Sequence, residues 1–292
     1  MVYDPRTTKF PFPEDTASHY LVVKKNDGTV FDRDYPYVDR SFRFRARLWG
    51  FRVLLNLLAF PVATVRMGLK IQGRENLKKH AEIIRNGVIS CSNHVHMWDF
   101  IAIMKAVRPS KPYVLVWDKN VRGENGYLIR SVRGIPVPVD DVHASIVMMK
   151  AVRDLLADHG WVHIYGEGSM WEYYCPIRPF KNGFAHFAIK CDKPVLPLAF
   201  SYRKPGWIRK HIFKQIATLT LHVGEPIFRD PSLPREEQEK DLIIRTHQAV
   251  CRLSGIDPEE NLYPPVYQNS KRIDYYPLHP TDSGESVSPD PS

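Results

Sequence analysis

The sequence predicts an α/β protein with a mostly parallel central sheet flanked by helices. From residue 84 onward, short apolar segments alternate with segments of helical periodicity, as in proteins with parallel sheets. Three of these apolar segments, residues 87–91, 113–117 and 161–165, are too hydrophobic to be exposed edge strands. The chain has 292 residues, of which 43% are hydrophobic, so it is long enough to bury one full core.

The predicted elements follow one another without an internal repeat. Strands are predicted at residues 87–91, 113–117, 135–139, 161–165, 194–200 and 216–224. Helices are predicted at residues 99–107, 121–130, 142–159 and 183–191, and an amphipathic helix at 235–255. We therefore divide the chain into an N-terminal extension (1–40), a membrane-associating helical segment (41–72), the α/β domain (73–264) and a Pro- and Ser-rich tail predicted to be disordered (265–292).

One segment near the N-terminus is unusually apolar. It runs from Leu48 to Val65 and is interrupted by Arg52, Asn56 and Pro61. As a helix it would be about 27 Å long, slightly short of the bilayer hydrocarbon core. Arginines precede it and follow it, which favours an amphipathic helix lying in the interface of an anionic membrane. A buried core helix and a single membrane span are the alternatives, and Pro61 is expected to kink or end the helix.

The overall charge points to an anionic partner. The formal net charge of +9 suits nucleic acid, an acidic membrane surface or a phosphorylated substrate. The basic residues are scattered and no nucleic-acid-binding motif is present, so we expect no nucleic-acid partner. The four cysteines form no C-x-x-C pair, and the N-terminus has no signal-peptide pattern. These features predict a protein on the cytoplasmic side.

The segment SNHVHMWD, residues 92–99, carries the main candidates for catalysis. Asp99 follows His94 by five positions across a predicted strand-to-helix turn, so its carboxylate can accept the Nδ1–H and leave Nε2 free as a base. His94 and His96 could instead form an H-x-H metal pair, although no further ligands have a recognisable spacing. In the third alternative, His94 is an ordinary loop histidine and Asp99 only caps the next helix.

This segment and three later ones resemble the motifs of the glycerolipid acyltransferases, the lysophosphatidic acid acyltransferase group. Asn93, His94 and Asp99 match the first motif. The later motifs follow in the family's order as GIPVPVD (134–140), YGEGS (165–169) with PFKNG (179–183), and VLPL (195–198). Four motifs in order are far more specific than one, and GREN (73–76) fits the approach to the domain.

The resemblance implies transfer of an acyl group from coenzyme A or acyl carrier protein to the hydroxyl of lysophosphatidic acid or a related lyso-glycerolipid. The product is then phosphatidic acid, and the thioester donor replaces any cofactor or metal. The reaction would take place on the cytoplasmic face of a membrane, with the enzyme bound peripherally or monotopically. His94 would be the general base and Asp99 would stabilise its imidazolium. Glu167, Gly168 and Ser169 are implied in substrate binding, and backbone N–H groups near Gly134 or Gly168 are expected to stabilise the oxyanion.

The sequence departs from the family at two positions. Asp140 and Met170 stand where the family has arginines associated with the acceptor's phosphate. Lys181, supported by its motif, and Arg178 are the expected replacements, and Arg133 is a further nearby cation. The departures leave open an acyltransferase for another headgroup. A serine hydrolase is not expected, because Ser169 is displaced from the position of the nucleophile in G-x-S-x-G.

Overall fold

The computed structural model describes residues 3–5, 12–19, 23 and 26–266, and it confirms the predicted α/β fold. The strands are β1 Lys70–Gln72, β2 Val88–Ser92, β3 Tyr113–Trp117, β4 Gly134–Val137, β5 Trp161–Tyr165, β6 Val195–Arg203 and β7 Thr218–Val223. The helices are α1 Phe42–Leu54, α2 Phe60–Val65, α3 Glu75–Lys79, α4 Ala81–Arg85, α5 Asp99–Ala106, α6 Asp118–Arg122, α7 Gly126–Ser131, α8 Val142–Ala157, α9 Gly183–Cys191, α10 Trp207–His211 and α11 Arg235–Ser254. Residues 267–292 of the predicted disordered tail lie outside the described residues.

The seven strands form one sheet in the order β1-β7-β6-β2-β5-β3-β4. Every neighbouring pair is parallel except β6 and β7. In the centre, β2 pairs with β5 from Val88 opposite Trp161 to Ser92 opposite Tyr165. The carboxyl ends of these two strands therefore lie side by side, where open α/β sheets place their sites.

Helices cover both faces of the sheet. On one face, α8, α9 and α11 bury side chains such as Val152, Phe184 and Leu242 in a common apolar core. On the other face, α2, α4 and α5 bury residues such as Phe60 and Ile103. Both faces of the central strands are thus dry, and all five residues of β2, including its two serines, are buried.

The structure differs from the prediction in its shortest elements. The helix predicted over 121–130 is two short helices, α6 and α7, and a Cβ on Gly126, the first residue of α7, would collide with the Val121 carbonyl oxygen. Strand β1 was not predicted and joins the sheet before the domain boundary placed at 73. Three short helices, α3, α4 and α10, were also not predicted. Elements of three to five residues are too short to show a periodicity.

The apolar segment forms a continuous helix from Phe42 to Val65, so Pro61 does not end the helix, which was one of the two effects expected of it. A π-helical turn, Leu55–Ala59, precedes the proline, and the Phe60 N–H donates to the Leu55 carbonyl five residues back. This wider turn accommodates the residue that has no N–H of its own, and α2 continues. Only 17% of the most apolar window of this helix is buried, which rules out the core-helix alternative.

Candidate active site

Two loops meet where β2 and β5 end, and they carry the residues of the first and third motifs. His94 follows β2 by two residues, and Glu167 follows β5 by two. The His94 backbone N–H donates to Glu167 Oε2 at 2.9 Å, which joins the loops directly. The His94 ring stacks on Tyr165, the last residue of β5, with ring centroids 3.7 Å apart. The register of β2 and β5 therefore determines where the histidine lies.

His94 and Asp99 form a hydrogen-bonded pair. His94 Nδ1 lies 2.9 Å from Asp99 Oδ2, and Asp99 is completely buried at the first position of α5. A carboxylate only accepts hydrogen bonds, so the Nδ1–H is the donor in this contact, and no described residue forms a hydrogen bond with Nε2. The same Oδ2 accepts the backbone N–H groups of Val95 and His96 at 2.8 and 3.1 Å. Asp99 thus orients both the ring and the loop that carries it.

The loop after β2 is also held by β6 and by the segment that follows the third motif. The Asn93 amide donates to the Phe200 carbonyl at 3.1 Å and accepts the Phe200 N–H at 2.8 Å. This side chain therefore continues the pairing of β2 with β6 beyond the end of the ladder. The Trp171 N–H donates to the His94 carbonyl at 3.1 Å. The backbone of His94 is consequently fixed from three directions, which preorganises the ring.

Glu167 and Arg178 form a buried ion pair behind the histidine. Arg178 Nη2 lies 2.9 Å from Glu167 Oε2, and the Arg178 backbone N–H donates to Glu167 Oε1 at 2.9 Å. Arg178 Nη1 donates to Ser169 Oγ at 2.7 Å and to the Thr16 carbonyl at 2.9 Å. The guanidinium lies over the Trp171 ring, 4.4 Å from its centroid. Glu167 and Ser169 are both 3% exposed.

These contacts require a correction for Arg178. The sequence suggested a second cation for the acceptor's phosphate, but the side chain is 0% exposed and points at Glu167, Ser169 and Thr16. A phosphate could reach it only if the buried pair opened. The contacts of Glu167 and Ser169 within the protein likewise indicate that they support the His94 loop. Ser169 Oγ accepts a hydrogen bond from Arg178, an arrangement that does not suit a hydrolase nucleophile.

The glycines expected to stabilise an oxyanion are placed differently. The Gly168 N–H donates to the Tyr165 carbonyl at 3.0 Å, so this turn residue has no free donor. Gly134 lies on β4, three strands from β2 in the sheet, which is about 14 Å at roughly 4.8 Å per strand. A Cβ at Gly134 would lie 2.9 Å from the Ile129 carbonyl oxygen, so this glycine permits close packing of α7. Neither residue is the oxyanion donor that we expected.

Lys181 lies beside the site with a segment of the N-terminal extension. Its side chain crosses Gly168, where a Cβ would lie 3.0 Å from the Lys181 Nζ. His19 stacks on Trp117, with ring centroids 3.6 Å apart. Burial and the nearby charges of Lys181 and other cations lower the pKa of His19 to about 4. Sequence reasoning did not identify His19, because nothing in the polar N-terminus shows that it returns to the sheet.

Neither of the two positions where the family has an arginine carries a positive charge in this chain. Met170 is 8% exposed and Asp140 is exposed after the end of β4. Lys119, at the carboxyl end of β3, is a further cation whose charge lowers the pKa of His19. Positive charge at this edge of the sheet is therefore supplied by Lys119 and Lys181.

The contacts of His96 do not favour the H-x-H metal site. Its Nδ1 accepts the Trp98 N–H at 3.2 Å, and its Nε2 lies 3.3 Å from Glu172. His94 Nδ1 is already bonded to Asp99. Within the described part of the chain, no group of three or more His, Cys, Asp or Glu side chains is arranged to hold a metal ion.

An apolar cavity of about 410 Å³ opens beside the His94 loop. Its apolar walls come from α2, the His94 loop, the segment after α10 and β7, and include Val62, Trp98, Phe213 and Leu219; Arg66, Glu172 and Lys214 also line it. Such a lining suits a hydrocarbon chain, because apolar side chains release water when they contact it.

Comparison with known proteins finds similarity to acyltransferases. Residues 68–201 match the model of the Acyltransferase family, a segment that includes His94, Asp99, Glu167 and Lys181. A 1-acyl-sn-glycerol-3-phosphate acyltransferase from Limnanthes douglasii is 27% identical over 202 residues, covering 62% of this chain and 68% of that protein. The crystal structure of the 1-acyl-sn-glycerophosphate (LPA) acyltransferase PlsC from Thermotoga maritima matches with a TM-score of 0.49 and 16% identity, covering 74% of this chain and 84% of that one.

Proposed function

We propose that the protein is a member of the Acyltransferase family, whose model residues 68–201 match, and that it transfers a fatty acyl group from a thioester to the hydroxyl of lysophosphatidic acid. The observation that carries this proposal is the His94–Asp99 pair, with Nδ1 and Oδ2 2.9 Å apart. The name of the Limnanthes relative supports the glycerol-phosphate acceptor. The donor is coenzyme A or acyl carrier protein, and the product is phosphatidic acid.

The reaction needs a base because an alkyl hydroxyl is a poor nucleophile at neutral pH. His94 Nε2 takes the hydroxyl proton while the oxygen attacks the thioester carbonyl carbon. The tetrahedral intermediate then expels the thiolate, which takes the proton back from the imidazolium. Asp99 stabilises the imidazolium through its hydrogen bond to Nδ1. No covalent acyl-enzyme is needed.

An assay of donors against acceptors tests this proposal. Acyl-coenzyme A and acyl carrier protein are each supplied with lysophosphatidic acid, zwitterionic lyso-lipids and monoacylglycerol, and thiol release is measured with product analysis. The acceptor with a phosphate monoester should give the highest kcat/KM. Because Asp140 and Met170 replace two family arginines, a preference for zwitterionic or neutral acceptors would instead identify an acyltransferase for another headgroup.

Lys181→Ala should raise the KM for lysophosphatidic acid with a smaller effect on kcat. Lys181 is the motif cation at the site, and partial desolvation, which lowers its pKa, strengthens its attraction for a phosphate. An increase in KM of about tenfold is expected for one charged hydrogen bond. Lys190→Ala, on the exposed far end of α9, is the control and should leave the KM unchanged. An equal increase in KM for monoacylglycerol, which has no phosphate, would contradict a role of Lys181 in phosphate binding.

We further propose that the enzyme binds the cytoplasmic face of a membrane peripherally or monotopically. Large apolar side chains are exposed along the outer face of the 42–65 helix, including Leu54, Leu57, Leu58 and Val65. A second exposed apolar group lies on and after α10, and includes Trp207, Ile208 and Ile212. Met97 and Trp98, on the catalytic loop, are also exposed. These surfaces would bring the apolar cavity beside His94 to the lipid.

Replacing Leu54, Leu57 and Leu58 together by Ser should release the protein from anionic liposomes. Each leucine is between 48% and 76% exposed, so its replacement removes lipid contact without opening the core. Leu55 is left unchanged because it packs against the buried cluster. Val142→Ser with Ile146→Ser, on the exposed face of α8, is the control. Co-sedimentation measures binding, and a wild-type protein that stays in the supernatant would contradict the proposal.

A further inference from the structure

A second cavity, of about 280 Å³, lies at the opposite end of the sheet from His94. It opens to solvent and is lined by α1 and the π turn, by the end of α5, and by the residues that lead into β3 and β4. Five of its lining side chains are basic, and none is acidic: Arg45, Arg52, Arg108, Lys111 and Arg133. Among the described residues, none of these five forms an ion pair with a carboxylate.

Three of these cations repel one another. Burial lowers the pKa of Lys111, and the charges of Arg52 and Arg133 lower it further. The pKa of Arg133 is likewise lowered by burial and by Arg52. Like charges close together in a partly desolvated cavity destabilise each other unless an anion lies between them. Lys111 is exposed and Arg52 and Arg133 are half-buried, so water screens part of this repulsion, and an anion bound among the three cations would remove more of it.

Arg133 is held in this arrangement by its backbone. Its φ is 66°, in the left-handed region that non-glycine residues rarely adopt. Its Nη1 donates to the Lys111 carbonyl at 2.8 Å, and its guanidinium lies over the Tyr113 ring at 4.8 Å. The strained conformation thus places a positive charge at the cavity. Strained residues of this kind are often found at ligand-binding sites.

Most of the remaining wall of the cavity is apolar, apart from Asn56, Ser110 and Ser131, and it continues to the exposed surface of the helix. Leu48, Trp49, Phe51 and Met104 line the cavity, and Trp49 is 71% exposed. An anion that binds here would have its charge among the cations and any attached hydrocarbon along α1. This combination fits an amphiphile better than a free ion.

We propose that this cavity binds the phosphate-bearing headgroup of an anionic membrane lipid. The lipid would hold the 42–65 helix at the membrane from a position separate from the acyl-transfer site. Arginine guanidinium groups and a lysine ammonium can donate several hydrogen bonds to the oxygens of one phosphate. Each such cation near a lipid surface strengthens binding about fivefold. The proposal does not depend on the identity of the acyl acceptor.

Binding of a soluble short-chain lipid tests the proposal without turnover. Dihexanoyl phosphatidic acid is titrated into the full chain, and its stoichiometry and affinity are measured by native mass spectrometry and calorimetry. In the Lys181→Ala background, which weakens the other phosphate site, one equivalent should remain. Arg52→Gln with Lys111→Gln should weaken this binding about 25-fold, at about fivefold per charge. Lys150→Gln, exposed on α8 on the other face of the sheet, is the matched control.

Competition experiments show whether the bound phosphate belongs to a lipid, to free phosphate or to coenzyme A. The melting temperature of the variant checks its folding separately. Inorganic phosphate and coenzyme A should each displace the lipid only weakly, because neither has hydrocarbon to place along α1. Displacement by coenzyme A as efficient as by the lipid would overturn the lipid assignment, and so would unchanged lipid binding in the double variant. The ligand-free double variant should melt at or above the wild-type temperature, because it has lost a repulsion. A lower melting temperature would contradict the repulsive arrangement itself.

Discussion

His94→Ala is expected to lower kcat for acyl transfer by about 10²–10⁴-fold, the usual contribution of a positioned general base. The His94 ring is held by Asp99 through Nδ1 at 2.9 Å and by stacking on Tyr165, which leaves Nε2 for the substrate hydroxyl. Among the described residues of the loop, His94 is the only base that is oriented by a buried carboxylate, and the substitution removes it. The KM values for donor and acceptor should change little, because the binding surfaces remain. Single-turnover thiol release measures the chemical step.

Asp99→Asn should be nearly as damaging, because an amide can present its NH₂ group to Nδ1 and reverse the tautomer. The change should also loosen the loop, since Asp99 Oδ2 accepts the N–H groups of Val95 and His96. His96→Ala is the matched control and should keep substantial activity. An inactive His96 variant, together with a stoichiometric divalent ion in the wild-type protein, would replace the His94–Asp99 mechanism by the H-x-H metal site.

The local parts of this site could be predicted from sequence. His94 and Asp99 are five residues apart across a strand-to-helix turn, so their pairing depends on backbone geometry that the apolar segment and the following helix already indicate. The strands were predicted because β-branched and apolar residues alternate with helical segments. The three-residue strand β1 was missed because it is too short to carry such a pattern.

The non-local parts could not be predicted. Nothing in the sequence shows that Arg178 lies beneath the loop rather than in solvent, because arginines are usually exposed. Its partner Thr16 is 162 residues away along the chain. Gly134 is not the oxyanion donor for a related reason: the order of the motifs along the chain does not give the order of their strands in the sheet, where β4 lies three strands from β2. Pro61 does not end its helix, because the π turn before it absorbs the missing hydrogen bond.

Arg178→Ala is expected to destabilise the protein by about 3–5 kcal/mol, because it leaves the Glu167 carboxylate buried without its partner. The substitution also removes the donors to Ser169 Oγ and to the Thr16 carbonyl. Denaturant unfolding of the purified variant measures the loss. Arg245→Ala is the matched control: its ion pair with Asp241 on α11 is partly exposed, so its loss should cost about 1 kcal/mol or less.

A double variant separates the structural role of Arg178 from a role in substrate binding. Glu167→Gln with Arg178→Met removes both charges, so much of the stability lost in Arg178→Ala should return. The amide oxygen introduced by Glu167→Gln can still accept the His94 N–H, which preserves the loop and part of the activity. A substrate-binding arginine would behave differently: Arg178→Ala would remain stable, and only the KM for phosphate-bearing acceptors would rise. That result would mean that the buried pair opens during turnover and that the guanidinium, now 0% exposed, reaches the acceptor.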